Sequence, residues 1–291
     1  MKFGIYYAFW EKQWGADYTR YIQKAALLGF DILEISCASL DVMEKKEVEQ
    51  LKAVKNSFGI KLTAGYGPKP SQNIAAEDFS VVSDTLIFWN KVFKVLYALD
   101  ISTVGGGLYY YWPVDFNKPV DKLNDWERAV KGVRQLADLA ADYGINVCME
   151  ALNRHEGFLI NTASECMEFV KQVDKKNVKV MLDTYHMNME EDDMEEAILS
   201  TKGLLGHFHV GENNRRLPGQ GHIIDWKKIG KALHNINYSE AVVMEPFVLC
   251  GGKVGSDIKV WRDLSNKATE EMMDLQAKDS LEFLKDIFDK D

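Results

Sequence analysis

The chain has 291 residues, with 35 Lys and Arg against 44 Asp and Glu, a formal net charge of −9. Its 46% hydrophobic and 11% aromatic content excludes a disordered chain, and the acidic balance opposes a nucleic-acid partner, which asks for a basic face. No apolar run reaches the roughly 18 residues of a membrane span, and four cysteines without CxxC spacing read as free thiols in a reducing cytoplasm.

Phe3–Tyr7 opens the chain as a strand; Glu11 and Lys12 follow at once and no small-residue cleavage site is present, so it does not read as a leader. Residues 17–28 form a helix with Ile22, Ala25, Ala26 and Leu28 on its apolar side and Gly29 as its stop. Strands follow at Ile32–Ile35, Leu62–Gly65 and Ile101–Leu108. Trp126–Tyr143 carries Val130, Val133, Leu136, Ala137 and Ala140 at helical spacing, with Asp125 near its start and Gly144 just after. The remaining strands are Ile145–Leu152, Val178–Asp183, Leu204–Val210 and Ala241–Phe247, the charged run Glu190–Glu196 reads as a solvated helix start, and Glu270–Phe288 is a last helix closing the fold. Eight strand-like runs begin roughly 25–45 residues apart, the length of a βα unit. They predict an α/β fold, a single-domain (β/α)8 barrel over residues 1–291. Gly105–Gly107 is a glycine run but lacks GxGxxG spacing, so it gives a dinucleotide fold little support.

In such a barrel the chemistry sits at the carboxyl ends of the strands. Four successive ends here carry Glu150, Asp183, His209 and Glu245. Acidic side chains ending apolar strands are costly unless paired or metal-bound. Three carboxylates and one imidazole form a hard donor set suited to Mn²⁺, Mg²⁺ or Co²⁺ rather than a structural zinc. His207 shares a face with His209 but reads as a hydrogen-bonded core histidine, and Glu34 as a partner behind the ligands. Glu156, His186 and Arg215 lie just past these ends, placed to hydrogen-bond a polyol, whereas His155, His222 and His234 have no comparable company. Aromatics also gather at strand ends, among them Tyr6, Trp112 and Phe247, and Gly65, Gly67 and Gly105–Gly107 let a ligand approach the backbone.

The segments Gly4-Ile5-Tyr6-Tyr7-Ala8-Phe9-Trp10, Met149-Glu150-Ala151-Leu152-Asn153-Arg154, Val180–Asn188, His209–Arg215, Val243-Met244-Glu245-Pro246-Phe247 and Val260-Trp261-Arg262-Asp263 resemble the ketose 3-epimerases, the D-tagatose and D-psicose (D-allulose) 3-epimerases. The resemblance runs from residue 4 to about 265 and departs at Gly221–Trp226, a residue longer than the family pattern. It implies metal ligands at Glu150, Asp183, His209 and Glu245. It places Glu156, His186 and Arg215 on sugar hydroxyls, makes Tyr6, Trp112 and Phe247 pocket walls, and sets Gly107 beside the distal end of the sugar. It also implies Mn²⁺, Co²⁺ or Mg²⁺ as cofactor, a small-molecule ketose as substrate, no nucleic-acid or membrane partner, and a cytoplasmic homo-oligomer, a tetramer ahead of a dimer. The expected reaction interconverts D-fructose and D-psicose, with D-tagatose and D-sorbose as a further pair. Glu150 and Glu245 act as paired bases at C3 through a cis-enediolate, while the cation polarises the carbonyl. An aldose–ketose isomerase on the same barrel is the competing expectation. A metallo-phosphodiesterase is opposed by the net charge and by glycine-rich third and fourth strand ends where further ligands are needed.

Overall fold

The structure, a computed structural model, describes residues 1–288. Eight parallel strands close into one barrel: β1 (Lys2–Tyr6), β2 (Ile32–Ser36), β3 (Lys61–Gly65), β4 (Thr103–Gly106), β5 (Asn146–Glu150), β6 (Val178–Asp183), β7 (Leu205–Val210) and β8 (Ala241–Met244), with β8 pairing back onto β1. The expected (β/α)8 architecture is therefore the observed one. The strands around β4, β5 and β8 are shorter than their apolar runs. Gly106 takes a φ of 123°, which no extended strand continues, and Pro246 has no N–H with which to prolong β8.

The described residues form ten α-helices, in chain order α1 (Tyr18–Leu28), α2 (Lys45–Phe58), α3 (Phe79–Ala98), α4 (Lys122–Ala141), α5 (Ala163–Val173), α6 (Thr184–Glu190), α7 (Met194–Ser200), α8 (Trp226–Asn235), α9 (Gly252–Asp257) and α10 (Glu270–Phe288). Side-chain oxygens start most of them: Asp17 accepts from the Thr19 amide, Asp78 from Ser80, Thr162 from Glu165 and Asp225 from Lys228. Each such cap contributes about 1 kcal/mol. Helix α4 begins one turn earlier than its apolar spacing indicates, because Asp121 caps it, while Asp125 lies in its first turn and pairs with Arg128. The charged run is split between two helices. Glu190 ends α6 and holds Arg154, Glu191 accepts from the Ala163 amide, and Asp193 caps α7. The closing role read for α10 is realised through Asp274, which accepts from Trp10 Nε1 at 2.7 Å and pairs with Lys24 at 2.6 Å. No helix of the described residues is long and apolar enough to cross a membrane.

Strand side chains alternate, so counting by twos decides what faces the barrel axis. Ile32, Ala241 and Val243 plug its lower end as a small cluster apart from the main core between strands and helices. Above them lie Glu34, Thr63, Cys148, Met181 and His207, all buried. The top layer is Tyr6, Ser36, Gly65, Glu150, Asp183 and His209. One irregularity sets this layer. Between Val180 and Met181 the register shifts by one, so that Val180 faces Leu205 but Met181 faces His207. The extra residue in β7 is Gly206, whose missing side chain leaves room for Lys179; a Cβ there would stand 2.5 Å from Lys179 Cβ. Without that bulge Phe208 would stand opposite Asp183; with it, His209 does.

Candidate metal and sugar site

Glu150 ends β5, Asp183 ends β6, His209 lies one residue before the end of β7, and Glu245 is the first residue after β8. One donor atom from each falls within 4.8 Å of the other three. Asp183 also caps α6, its Oδ1 accepting from the Tyr185 amide at 2.8 Å, which leaves Oδ2 for the site. His209 presents Nδ1 to Glu245 Oε1 at 3.5 Å, and its Nε2 lies 2.6 Å from Glu34 Oε1.

The cluster has an excess of negative charge. Burial, with Glu245 and Asp183 alongside, pushes the Glu150 carboxyl well above the usual range. Burial acts on Glu245 too, but His209 and Arg215 overcome it and hold that carboxyl low. Glu150 Oε1 and His209 Nδ1 are buried without a hydrogen-bond partner. Orphaned donors facing one another among mutually repelling carboxylates fit a divalent cation. The oxygen-rich set with one imidazole fits Mn²⁺, Mg²⁺ or Co²⁺.

Arg215 is the hub of the polar side. It takes a φ of 67° in the loop after β7. Its Nη1 donates to Glu245 Oε2 at 3.0 Å and stands 3.5 Å from Asp183 Oδ2, and its Nη2 donates to Glu156 Oε1 at 3.0 Å. The guanidinium lies 3.6 Å above the Tyr185 ring, which locks its plane. Against the pull of burial, Arg215 and His186 keep the Glu156 carboxyl low. The Asn153 amide donates to His186 Nδ1 at 3.2 Å, so His186 Nε2 carries the proton and faces Glu150 at 3.8 Å and Asp183 at 3.9 Å. Burial lowers the His186 pKa, which keeps the ring neutral.

These groups open into one pocket of about 400 Å³. Its walls include Tyr6, Gly107, Trp112 and Phe247, with Glu150, Glu156, His186, His209, Arg215 and Glu245 toward the floor. Asp183 lies behind this lining, 1% exposed. The Tyr6 and Phe247 rings meet edge to face at 6.1 Å. His155, His222 and His234 lie outside the pocket and are exposed, as read from the sequence; His234 contacts the Phe288 carbonyl. Glu212 is a loop tie, accepting from the Gly219 amide at 2.8 Å and Trp226 Nε1 at 3.0 Å. Sequence reasoning did not single out Trp14, Met181, Tyr185 or Asp257. Trp14 and Met181 line the pocket, Tyr185 carries Arg215, and Asp257 accepts from Trp14 Nε1 at 2.7 Å, fastening α9 over the rim. Only the placement of Tyr185 between Asp183 and His186 carried any signal.

The family model described as a xylose isomerase-like TIM barrel matches residues 22–287. The D-psicose 3-epimerase of Ruminiclostridium cellulolyticum is 52% identical over 97% of this chain and 96% of its own. That of Agrobacterium fabrum is 49% identical over 97% and 98%. A crystal structure of D-psicose 3-epimerase in the presence of D-fructose superposes with a TM-score of 0.98 at 48% identity, covering all of both chains. One from Clostridium cellulolyticum H10 with D-tagatose gives 0.97 at 51% identity, over 99% of each chain. The chain thus belongs to the xylose isomerase-like TIM barrels and, among them, to the family of the D-psicose 3-epimerases.

Proposed function

We propose that this chain is a ketose 3-epimerase that interconverts D-psicose and D-fructose, with Glu150 and Glu245 transferring the proton at C3. The observation that carries the reading is the meeting of these two carboxylates, from strands three apart in the barrel, in one pocket. Inversion at C3 needs one group to take a proton from one face and another to return a proton to the other. Two carboxylates in unlike environments serve as base and acid at once, and exchange roles in the reverse direction. The names and sugars of the relatives described above support the same reaction.

His186 Nε2–H and the Arg215 guanidinium stabilise charge that develops on the sugar oxygens. Glu156, fixed by Asn153 and Arg215, accepts from a sugar hydroxyl. Tyr6, Trp112 and Phe247 cover the C–H surface and exclude water, and Gly107 lets the far end of the ketose lie against backbone. Glu150, Asp183, His209 and Glu245 would hold the divalent cation, Mn²⁺ ahead of Co²⁺ or Mg²⁺, which when bound supplies Lewis acidity toward the ketose carbonyl. The cytoplasmic location of the family reading is favoured by four free cysteines, three of them buried. Light scattering checks the homo-oligomer that goes with it.

The test is NMR of D-psicose or D-fructose with metal-supplemented protein in D₂O. Deuterium entering at C3 together with the C3 epimer, and blocked by a chelator, is the expected result. Label or product at C1 or C2 instead identifies an aldose–ketose isomerase and overturns the proposal, as does the absence of any exchange with these sugars.

A further inference from the structure

We propose that Glu34 is a positioning residue for the metal centre: it fixes His209 in the single tautomer and ring orientation that leave Nδ1 free to bind the ion. This inference rests on the metal-dependent reading above.

Glu34 comes from β2, three strands around the barrel from the β7 that carries His209, and is completely buried. A buried carboxylate is costly unless donors surround it. Two do, and a third nitrogen stands close: Thr63 Oγ1 donates to Oε2 at 2.7 Å, His209 Nε2 lies 2.6 Å from Oε1, and His207 Nε2 lies 2.7 Å from Oε2 as an ion-pair contact. A carboxylate oxygen 2.6 Å from His209 Nε2 accepts a hydrogen bond, so that nitrogen is the N–H. A neutral imidazole has only one N–H. With Nε2 committed to Glu34, the lone pair that His209 can offer an ion is on Nδ1, the nitrogen that faces Glu245 with no hydrogen-bond partner. His207 and Thr63 both occupy Oε2, which stops the carboxylate from turning away from His209.

Glu34, His207 and His209 also satisfy the composition of a metal-binding group. Their spacing points elsewhere. Nitrogen and oxygen ligands sit about 2.0–2.2 Å from an ion, so adjacent donors on one ion stand about 3 Å apart. The contacts here, at 2.6 and 2.7 Å, are closer than that, and the His209 contact matches a charge-assisted hydrogen bond. Behind a metal ligand, such a bond orients the ring and raises its basicity, and losing it typically weakens metal binding about 10–100-fold.

The first experiment uses the wild-type protein with ¹⁵N-labelled histidine, loaded with diamagnetic Mg²⁺. Long-range ¹H–¹⁵N correlations should show His209 protonated on Nε2 and bare on Nδ1. The second is calorimetric titration of Mn²⁺ into the Glu34→Gln variant. The dissociation constant should rise about 10–100-fold, with far-UV circular dichroism unchanged and one ion bound per chain. Thr63→Val removes the hydrogen bond that holds Oε2 and leaves the Oε1 bond in place; it should raise the Mn²⁺ dissociation constant by less than Glu34→Gln does. A proton on His209 Nδ1, an unchanged affinity in folded Glu34→Gln, or two ions per wild-type chain would each overturn the proposal. If Glu34→Gln does not fold, the wild-type spectrum decides alone. Wild-type protein that binds no divalent ion fails a different test, that of the metal-dependent reading itself.

Discussion

Replacing Arg215 by Met tests how much of the acidic pocket one buried cation holds together. The guanidinium is 3% exposed and bonds Glu245 and Glu156, each at 3.0 Å. Removing it leaves Glu156 with the Asn153 side chain and Glu245 with His209. Breaking a buried ion pair by deleting one partner costs about 3–5 kcal/mol, and the lost stacking on Tyr185 adds about 0.5–2 kcal/mol. Met restores part of the packing. Chelator-treated Arg215→Met should therefore be about 3–5 kcal/mol less stable than chelator-treated wild type in urea at pH 7. The pH dependence has a definite sign. Glu156 and Glu245 have lowered pKa values in the folded wild type. Their contribution is present above the unfolded glutamate pKa of about 4.3, and is lost as pH falls through the lowered folded values. The variant lacks the guanidinium's part of that contribution at neutral pH, so less remains for it to lose on acidification. The gap between the proteins should be widest near neutrality and close as the solution becomes acidic. A gap below about 1 kcal/mol at pH 7, or one that widens on acidification, refutes the reasoning, since 1 kcal/mol is the upper end for exposed pairs.

Glu150→Gln and Glu245→Gln should each lower kcat by at least about 10²-fold with unchanged circular dichroism; near-wild-type turnover in either ends the two-base scheme. Gly106→Ala should destabilise the barrel by about 2–5 kcal/mol, combining a left-handed backbone penalty with overpacking. There φ is 123° and a Cβ would stand 2.3 Å from the Tyr66 carbonyl oxygen; urea denaturation measures it. Chelation should abolish turnover and lower the melting temperature, and Mn²⁺ at a hundred times its dissociation constant should return about 2.7 kcal/mol of stability, read by differential scanning calorimetry.

The barrel and the four residues of the candidate metal group were legible for one reason. Ionisable residues at the ends of apolar strands are rare enough that Glu150, Asp183, His209 and Glu245 stand out without any knowledge of contacts. The Gly206 bulge was not legible. A register shift in β7 depends on how two strands pair, and the letters of Leu204–Val210 fit either register. Trp14 and Tyr185 escaped for a similar reason. Each matters through a partner distant in sequence or in another loop, Asp257 for one and Arg215 for the other. The start of α4 at Lys122 was missed because Asp121 and Asp125 are both plausible caps, and only the amide of Asn124 chooses between them.

All four donors come from the second half of the barrel, on β5 to β8, while β1 to β4 end in Tyr6, Ser36, Gly65 and Gly106. The two halves are thus under different constraints. Loops of the first half can exchange side chains, and with them the shape offered to the sugar, without moving a donor. Glu34 is the exception, a residue of the shape-giving half on which the reactive half depends. Laboratory evolution toward new ketoses should therefore accumulate changes around β1, β3 and β4 while leaving β2 intact at its centre.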